Sequence, residues 1–321
     1  MGAYGLQSHI WNNNLKSILL MAGFPFLLCV LLYGFILMTA GVSGRFVNLP
    51  EAMLASWGMF LQNWPLALIG AAVWFLIAWM FHQKMINAAT GAKPVSRKEA
   101  PDLYNMLENL CIERGMTMPR LCIINSAALN AYASGIDDSN YTVTLTSGLI
   151  KTLDQAELRA VIAHELTHIR NRDVRLLIIS VIFVGIFSFI GELIFRGFFR
   201  VGRHAGGYSR GRNGDSRGGG AVILIAIAII AVSYLLALVI RFAISRRREY
   251  LADAGAVDLT RDPDAMISAL KKISGRSALE VPNDVQQMCI DNDQPFAGVF
   301  LTHPKIEKRI AALVAYAGGQ N

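Results

Sequence analysis

Two uncharged stretches decide most of what this chain can become. No Asp, Glu, Lys or Arg occurs from Ile18 to Gly44 or from Ala52 to Gln83. About twenty apolar residues suffice for a helix to cross a bilayer, and each stretch exceeds that length. Two further apolar blocks follow: Leu176–Phe195, with Glu192 near its end, and Ala221–Ile240. Any one block could instead be a buried core helix, but the length and lack of charge of the first two argue against it. The blocks account for a hydrophobic fraction of 54% and a mean hydropathy of +0.41, both too high for an ordinary soluble protein. The first block is longer than the roughly 7–15-residue apolar core of a cleaved signal peptide. Small residues at Thr39–Ser43 leave cleavage open, yet the block reads as an anchor. The expectation is four transmembrane helices in two hydrophobic helical hairpins.

Charge orients them. Lys16 precedes the first block, Arg45 and Glu51 lie between the first two, and Lys84, Lys93, Arg97 and Lys98 follow the second. Cytoplasmic flanks carry the excess of Lys and Arg, so the N-terminus and the chain from about Lys84 are expected in the cytoplasm. The net charge of +7 comes largely from arginines beside the apolar blocks, which suits membrane topology and anionic lipid better than nucleic acid. Residues 196–220 hold six arginines and end in Gly218-Gly219-Gly220. A flexible, solvated Gly/Arg-rich loop is expected there rather than an RNA-binding segment, and no nucleic-acid partner is expected. Cys29, Cys111, Cys122 and Cys289 show no metal-ligand spacing and read as apolar residues of a reducing compartment.

Between the apolar pairs the chain reads as a small α+β domain. Glu99–Arg114 has a helical apolar face and stops at Gly115; Arg120–Asn125 and Tyr141–Thr146 read as strands around a turn-rich segment, Gly135–Asn140. Asp154 and Glu157 form a capping box that opens a helix over about 155–170. On it lie His164-Glu165-Leu166-Thr167-His168. Residues four apart on a helix share a face, so His164 and His168 can present two imidazoles to one metal ion. Glu165 can then reach a water on that metal and take its proton. Helices are also expected over Pro263–Ser274, capped by Asp262, and Pro304–Tyr316.

A catalytic zinc requires three protein ligands and an open position. A longer three-His pattern fails, because Asn171 and Val174 stand where it needs Gly and His. Glu249, in Glu249-Tyr250-Leu251-Ala252-Asp253, is the best third ligand. It follows the fourth apolar block closely, and Asp253 one turn later can accept a ring N–H from a ligating His. His204 competes but sits in the glycine-rich loop. If Glu249 and the metal helix share one ion, both ends of the second hairpin lie on one side of the membrane. Either the hairpin spans, which places the six-arginine loop outside against the charge rule, or it dips only partway. Length favours spanning.

These residues resemble the HtpX-like heat-shock zinc metalloproteases, relatives of the eukaryotic CAAX prenyl endoproteases. The resemblance covers roughly residues 90–320 and rests on Asn130-Ala131-Tyr132-Ala133-Ser134-Gly135, His164–His168, Glu249–Asp253 and Thr302-His303-Pro304, in that order. It implies a gluzincin-type metalloprotease domain, mostly α with a small β-sheet. It also implies one zinc per chain held by His164, His168 and Glu249, with Glu165 as general base and Asp253 behind a ligating His. Asn130 would sit at the substrate cleft and His303 near the zinc water or the developing oxyanion. Tyr132 and Ser134 stand where the family has Phe and Thr, and four apolar blocks are too few for the prenyl proteases' membrane chamber. The strand at Tyr141–Thr146 would be an open edge where Tyr141 and Val143 pair with an extended substrate.

The implied domain order is an N-terminal transmembrane hairpin (1–83), a first protease half (84–174), a second hairpin (175–244) and a second protease half (245–321). The implied activity is endopeptidase cleavage of polypeptides, unfolded or membrane-embedded, in quality control and stress response. The protein would be multi-pass in the cell inner membrane, with its active site facing the cytoplasm. A non-proteolytic zinc-bearing scaffold or chaperone is the alternative; Glu165 argues against it, since a scaffold needs no base beside its metal. A transporter would need more intramembrane charge than the blocks contain. The oligomeric state is not encoded in any motif found here.

Overall fold

The computed structural model describes residues 3–43, 45–46, 48–182, 217–242, 247–279, 288–290 and 304–318. His303, most of the third apolar block and most of the arginine-rich segment lie outside the described residues. In chain order come α1 (Ala3–Ser43), α2 (Leu49–Thr90), β1 (Lys93–Pro94), α3 (Pro101–Arg114), β2 (Arg120–Ile124), β3 (Ala131–Ser134) and β4 (Thr142–Thr146). Then follow α4 (Ser147–Thr152), α5 (Gln155–Arg170), a helical stretch over 173–182, α6 (Arg217–Phe242), α7 (Arg247–Thr260), α8 (Pro263–Ile273) and α9 (Ile306–Gly318). The chain is mostly helical with one small mixed sheet.

It divides into two compact units. One comprises Ile18–Met80 and Ser180–Ala243. Ala22–Ser43 lies within it and Leu49–Thr90 runs from it into the other unit; both helices are apolar enough and long enough to cross a membrane. Only 6% of the apolar window of α2 is buried against protein, which leaves Leu66, Ile69 and Leu76 outward. Exposed apolar surface is disfavoured in water by about 25 cal/mol per Å2, a cost that lipid removes. Leu37, Met38, Ala52, Val222 and Ala226 form the packed centre of this unit. The glycine run expected in a loop is helical instead: α6 already begins at Arg217. Glycine weakens a helix by about 1 kcal/mol per residue against alanine, but the long apolar run that follows propagates back through the first turn.

The second unit comprises Met1–Ser17, Phe81–Ile179 and Ile244–Asn321. Its sheet has the order β1-β2-β4-β3, with β2 and β4 parallel and the outer pairs antiparallel. The strand expected to be an open edge is therefore central: β4 pairs with β2 along one side and with β3 along the other. Its alternating Thr and Val residues fit a pleated surface equally well in either position, and periodicity cannot separate them. The backbone of Val143 is committed to Leu121 and Ala133, so Tyr141 and Val143 do not form a substrate edge. β3 ends the sheet on that side, yet it is buried along its length and its outer side meets Met288–Ile290: Tyr132 bridges Cys289, and Ile290 N–H donates to Ala131 O at 2.9 Å.

Local chemistry sets the element ends. Gly135 (φ +116) makes the turn out of β3, where a Cβ would lie 2.6 Å from Tyr141 Cα. The last turns of α2 are tied to β3 by Gln83 with Ser134 Oγ and by Tyr132 OH donating to Thr90 Oγ1. Asp154 accepts from Glu157 N–H, and Glu157 accepts from Asp154 N–H, closing the box that starts α5. Glu157 also takes Ser268 and Lys272 of α8, so the cap doubles as a tertiary anchor.

Candidate metal centre

Helix α5 is buried along nearly its whole length, against α7, α8 and β3. It lies close against α7 at Gly255, where a Cβ would come within 2.5 Å of Thr167 Cγ2. That crossing brings Glu249 and Asp253, one turn apart on α7, against the two histidines of α5. One ligand atom each from His164, His168 and Glu249 falls within 4.8 Å of the others. His164 Nε2 and His168 Nε2 are 3.1 Å apart, and the two carboxylate oxygens of Glu249 stand 3.7 Å from one each.

The other face of each imidazole is pinned. His164 Nδ1 lies 3.0 Å from Asp253 Oδ1, and His168 Nδ1 lies 3.0 Å from Asp173 Oδ2. Both carboxylates can only accept when ionised, so each Nδ1 carries a proton and each Nε2 faces inward, where a neutral ring offers its lone pair. Three acceptors thus converge on one point, an arrangement that a metal cation completes.

Charge makes the same case. Glu165, Asp173, Glu249 and Asp253 are all buried, and the cations beside them are Arg248 and Arg309, also buried. Among the described residues, two arginines stand against four carboxylates, a balance that a divalent ion would offset. Without it the histidines absorb the imbalance. Burial pushes His168 down, but the carboxylates of Glu249 and Asp173 outweigh it and raise its pKa to about 10. His164 falls to about 4, chiefly through burial, despite Asp253. Glu165 is pushed up to about 7 by burial and by the nearby charge of Glu249, with His168 and Arg309 opposing. A backbone hydrogen bond from Ala133 ties Glu165 to the edge strand. Ala133, Glu165, His168, Glu249 and Met288 share the wall of one cleft.

Two site residues escape sequence reasoning. Arg172 takes a left-handed φ of 60° just after α5 and turns the chain back, which sets Asp173 beneath His168. Arg309, fully buried on α9, donates from Nε and Nη2 to Asp253 (2.9 and 2.6 Å) and from Nη1 to Ile290 O (2.8 Å). Its only signal in the sequence is a cation on the apolar stripe Ile306–Arg309–Leu313. Asn130 is buried, with Nδ2 donating to Ser277 O and Oδ1 accepting from Ile290 N–H.

A helical scaffold with a small sheet, a His-Glu-x-x-His helix and a glutamate on a second helix define the gluzincin class of metallopeptidase. The profile of peptidase family M48 matches residues 97–317. A "Protease HtpX homolog" of Bacteroides fragilis is 44% identical over 321 residues, covering 96% of this chain and 98% of the relative. Another, from Listeria monocytogenes, is 34% identical over 322 residues, covering 96% and 99%. The crystal structure of S. mikatae Ste24p aligns with a TM-score of 0.44 at 18% identity, covering 79% of this chain and 58% of that one. The chain belongs to peptidase family M48, among its HtpX proteases, and is a membrane-associated metallopeptidase.

Proposed function

We propose that this chain is an integral membrane zinc endopeptidase that cleaves unfolded or damaged membrane proteins in quality control. Four transmembrane helices in two hairpins (1–83 and 175–244) would flank the protease halves 84–174 and 245–321, with the active site facing the cytoplasm. The observation that carries the proposal is the convergence of His164, His168 and Glu249 beside Glu165. Two imidazole nitrogens and one carboxylate oxygen, with a position left over, suit zinc.

When bound, the ion supplies Lewis acidity to water and to the scissile carbonyl. The protein's own residues do the rest. Asp253 and Asp173 hold the imidazole rings in the tautomer that turns Nε2 inward. Glu165, with a pKa near neutrality, accepts the proton of the attacking water and delivers it to the leaving amine. A substrate reaches Glu165 through the cleft that Met288 and Ala133 of β3 line. Asn130 keeps that strand in place, and His303 acts near the developing oxyanion.

Zinc analysis with a casein or unfolded-membrane-protein degradation assay tests the proposal. The parent should bind one zinc, Glu249→Gln should lose it, and Glu165→Gln should keep it while slowing cleavage about 10²–10⁴-fold. Glu165→Gln cleaving at the parental rate refutes the mechanism. Zinc without any cleavage by the parent would mark a scaffold instead.

A further inference from the structure

Strand β3 is only four residues long and ends the sheet, so the sheet itself gives it one ladder, to β4. Yet the base leans on it: the Ala133 N–H hydrogen-bonds Glu165, and both residues line the metal cleft. Side chains alternate along a strand, so Tyr132 and Ser134 leave β3 by the face opposite Ala133.

There they meet the last turns of α2. Tyr132 OH donates to Thr90 Oγ1 at 3.0 Å, and Ser134 Oγ donates to Gln83 Oε1 at 2.9 Å. Gln83 and Thr90 lie two turns apart on one face of the helix, as Tyr132 and Ser134 share one face of the strand. Both acceptors are held in turn. Thr90 Oγ1 gives its own proton to Ile86 O at 2.9 Å, and Gln83 Nε2 donates to Asn87 Oδ1 at 2.9 Å. Tyr132 and Ser134 are buried, so water competes little for either bond. None of these four side chains lines the cleft.

We propose that Tyr132 and Ser134 are positioning residues: clasped to Thr90 and Gln83, they fix β3 on the end of α2 and so hold Glu165 where it takes the proton of the attacking water. A helix long and apolar enough to cross a membrane thereby sets the strand on which the base rests. The proposal rests on Glu165 being that base.

Tyr132→Phe combined with Gln83→Met cuts both bonds with little change of volume and alters no residue of the cleft. A displacement of about 1 Å near a reacting group costs up to about 100-fold. In the zinc-loaded protein kcat should therefore fall at least about tenfold, with KM within about twofold of the parent and parental zinc affinity in chelator competition. Gln83→Glu alone keeps an acceptor for Ser134 and should retain most of kcat. The deciding comparison adds the pair of changes to Glu165→Gln, because groups that act as a unit are not additive. With the base already gone, the pair should alter the residual cleavage rate by less than about twofold. Hydrogen exchange gives a readout independent of turnover. The Ala133 amide should exchange at least about tenfold faster in the double variant, while amides bonded between β2 and β4 keep parental rates.

A clasp that merely adds stability would lower the rate by the same factor with and without Glu165, or loosen the whole sheet and zinc binding together, and either result overturns the proposal. So does parental kcat in the double variant. Should that variant fail to fold, Tyr132→Phe alone decides by the same rate and exchange readouts. If Glu165→Gln cleaves as fast as the parent, the assignment of the base is wrong; if it is slow and the clasp variants match the parent, this inference alone fails.

Discussion

Replacing Arg309 with Met should be among the most damaging single changes in the catalytic unit. The guanidinium donates twice to Asp253 and once to Ile290 O, and its Nη2 also lies 3.5 Å from His164 Nε2. Methionine preserves most of the volume and removes the charge, leaving His164 as the compensating partner of buried Asp253 among the described residues. Breaking a buried ion pair from one side costs about 3–5 kcal/mol, a large share of the roughly 5–15 kcal/mol that holds a domain folded. At about 2–4 °C per kcal/mol for a unit of this size, the melting midpoint should drop by about 6–20 °C. The assay is thermal unfolding in detergent, with and without zinc.

The sign with pH follows from Asp253. Burial raises its pKa, but Arg309 outweighs burial, with His164 assisting, and holds it at about 2 against an ordinary 3.8. A carboxyl depressed by folding stabilises the fold above its unfolded pKa and loses that contribution as pH falls toward about 2. The linked energy is about 2 kcal/mol. The parent should therefore lose stability between about pH 4 and 2, a loss that Arg309→Met lacks. Adding Asp253→Asn to Arg309→Met should recover at least about 1 kcal/mol, since no unpaired charge remains. A single variant melting within about 2 °C of the parent, or a double variant no better than the single, refutes the reasoning.

Gly255→Ala drives a methyl into Thr167 and should destabilise by about 1–3 kcal/mol in thermal melts, with Thr167→Ala in the same chain recovering most of it. Asp173→Asn should weaken zinc binding about 10–100-fold in chelator competition, because it releases His168 Nδ1. Glu165 must be ionised to act, so kcat/KM should rise with pH along a limb set by its pKa, at or below about 7 once the metal's charge is added; a flat profile from pH 5 to 8 would remove Glu165 as the base. A single cysteine at Gly206, with Cys29, Cys111, Cys122 and Cys289 replaced, should label from outside intact cells if the second hairpin spans; protection would mark a shallow hairpin.

What could be read beforehand was local. The two histidines, Glu165 and the Asp154–Glu157 cap follow from helical spacing, and Glu249 followed from its place after an apolar block. Asp173 was invisible because its use depends on a left-handed Arg172, a conformation no side chain announces. Arg309 was invisible because one cation on an otherwise apolar stripe looks like a solvated residue until α9 is docked. The error over β4 has the same root: alternation says that a strand is half-buried or buried, and only long-range pairing says which strand ends the sheet. The crossing at Gly255 depends likewise on a partner, Thr167, 88 positions earlier in the chain.

The shortage of positive charge around the two imidazoles ties the enzyme's maturation to acidity. In the metal-free protein the carboxylates of Glu249 and Asp173 favour a proton on His168, and an incoming ion must displace it. Capture then weakens as pH falls, so newly made chains in acidic surroundings stay idle longer. An enzyme that meets stress after synthesis keeps its ion, whereas one synthesised during acid stress must compete with hydronium for its own activation.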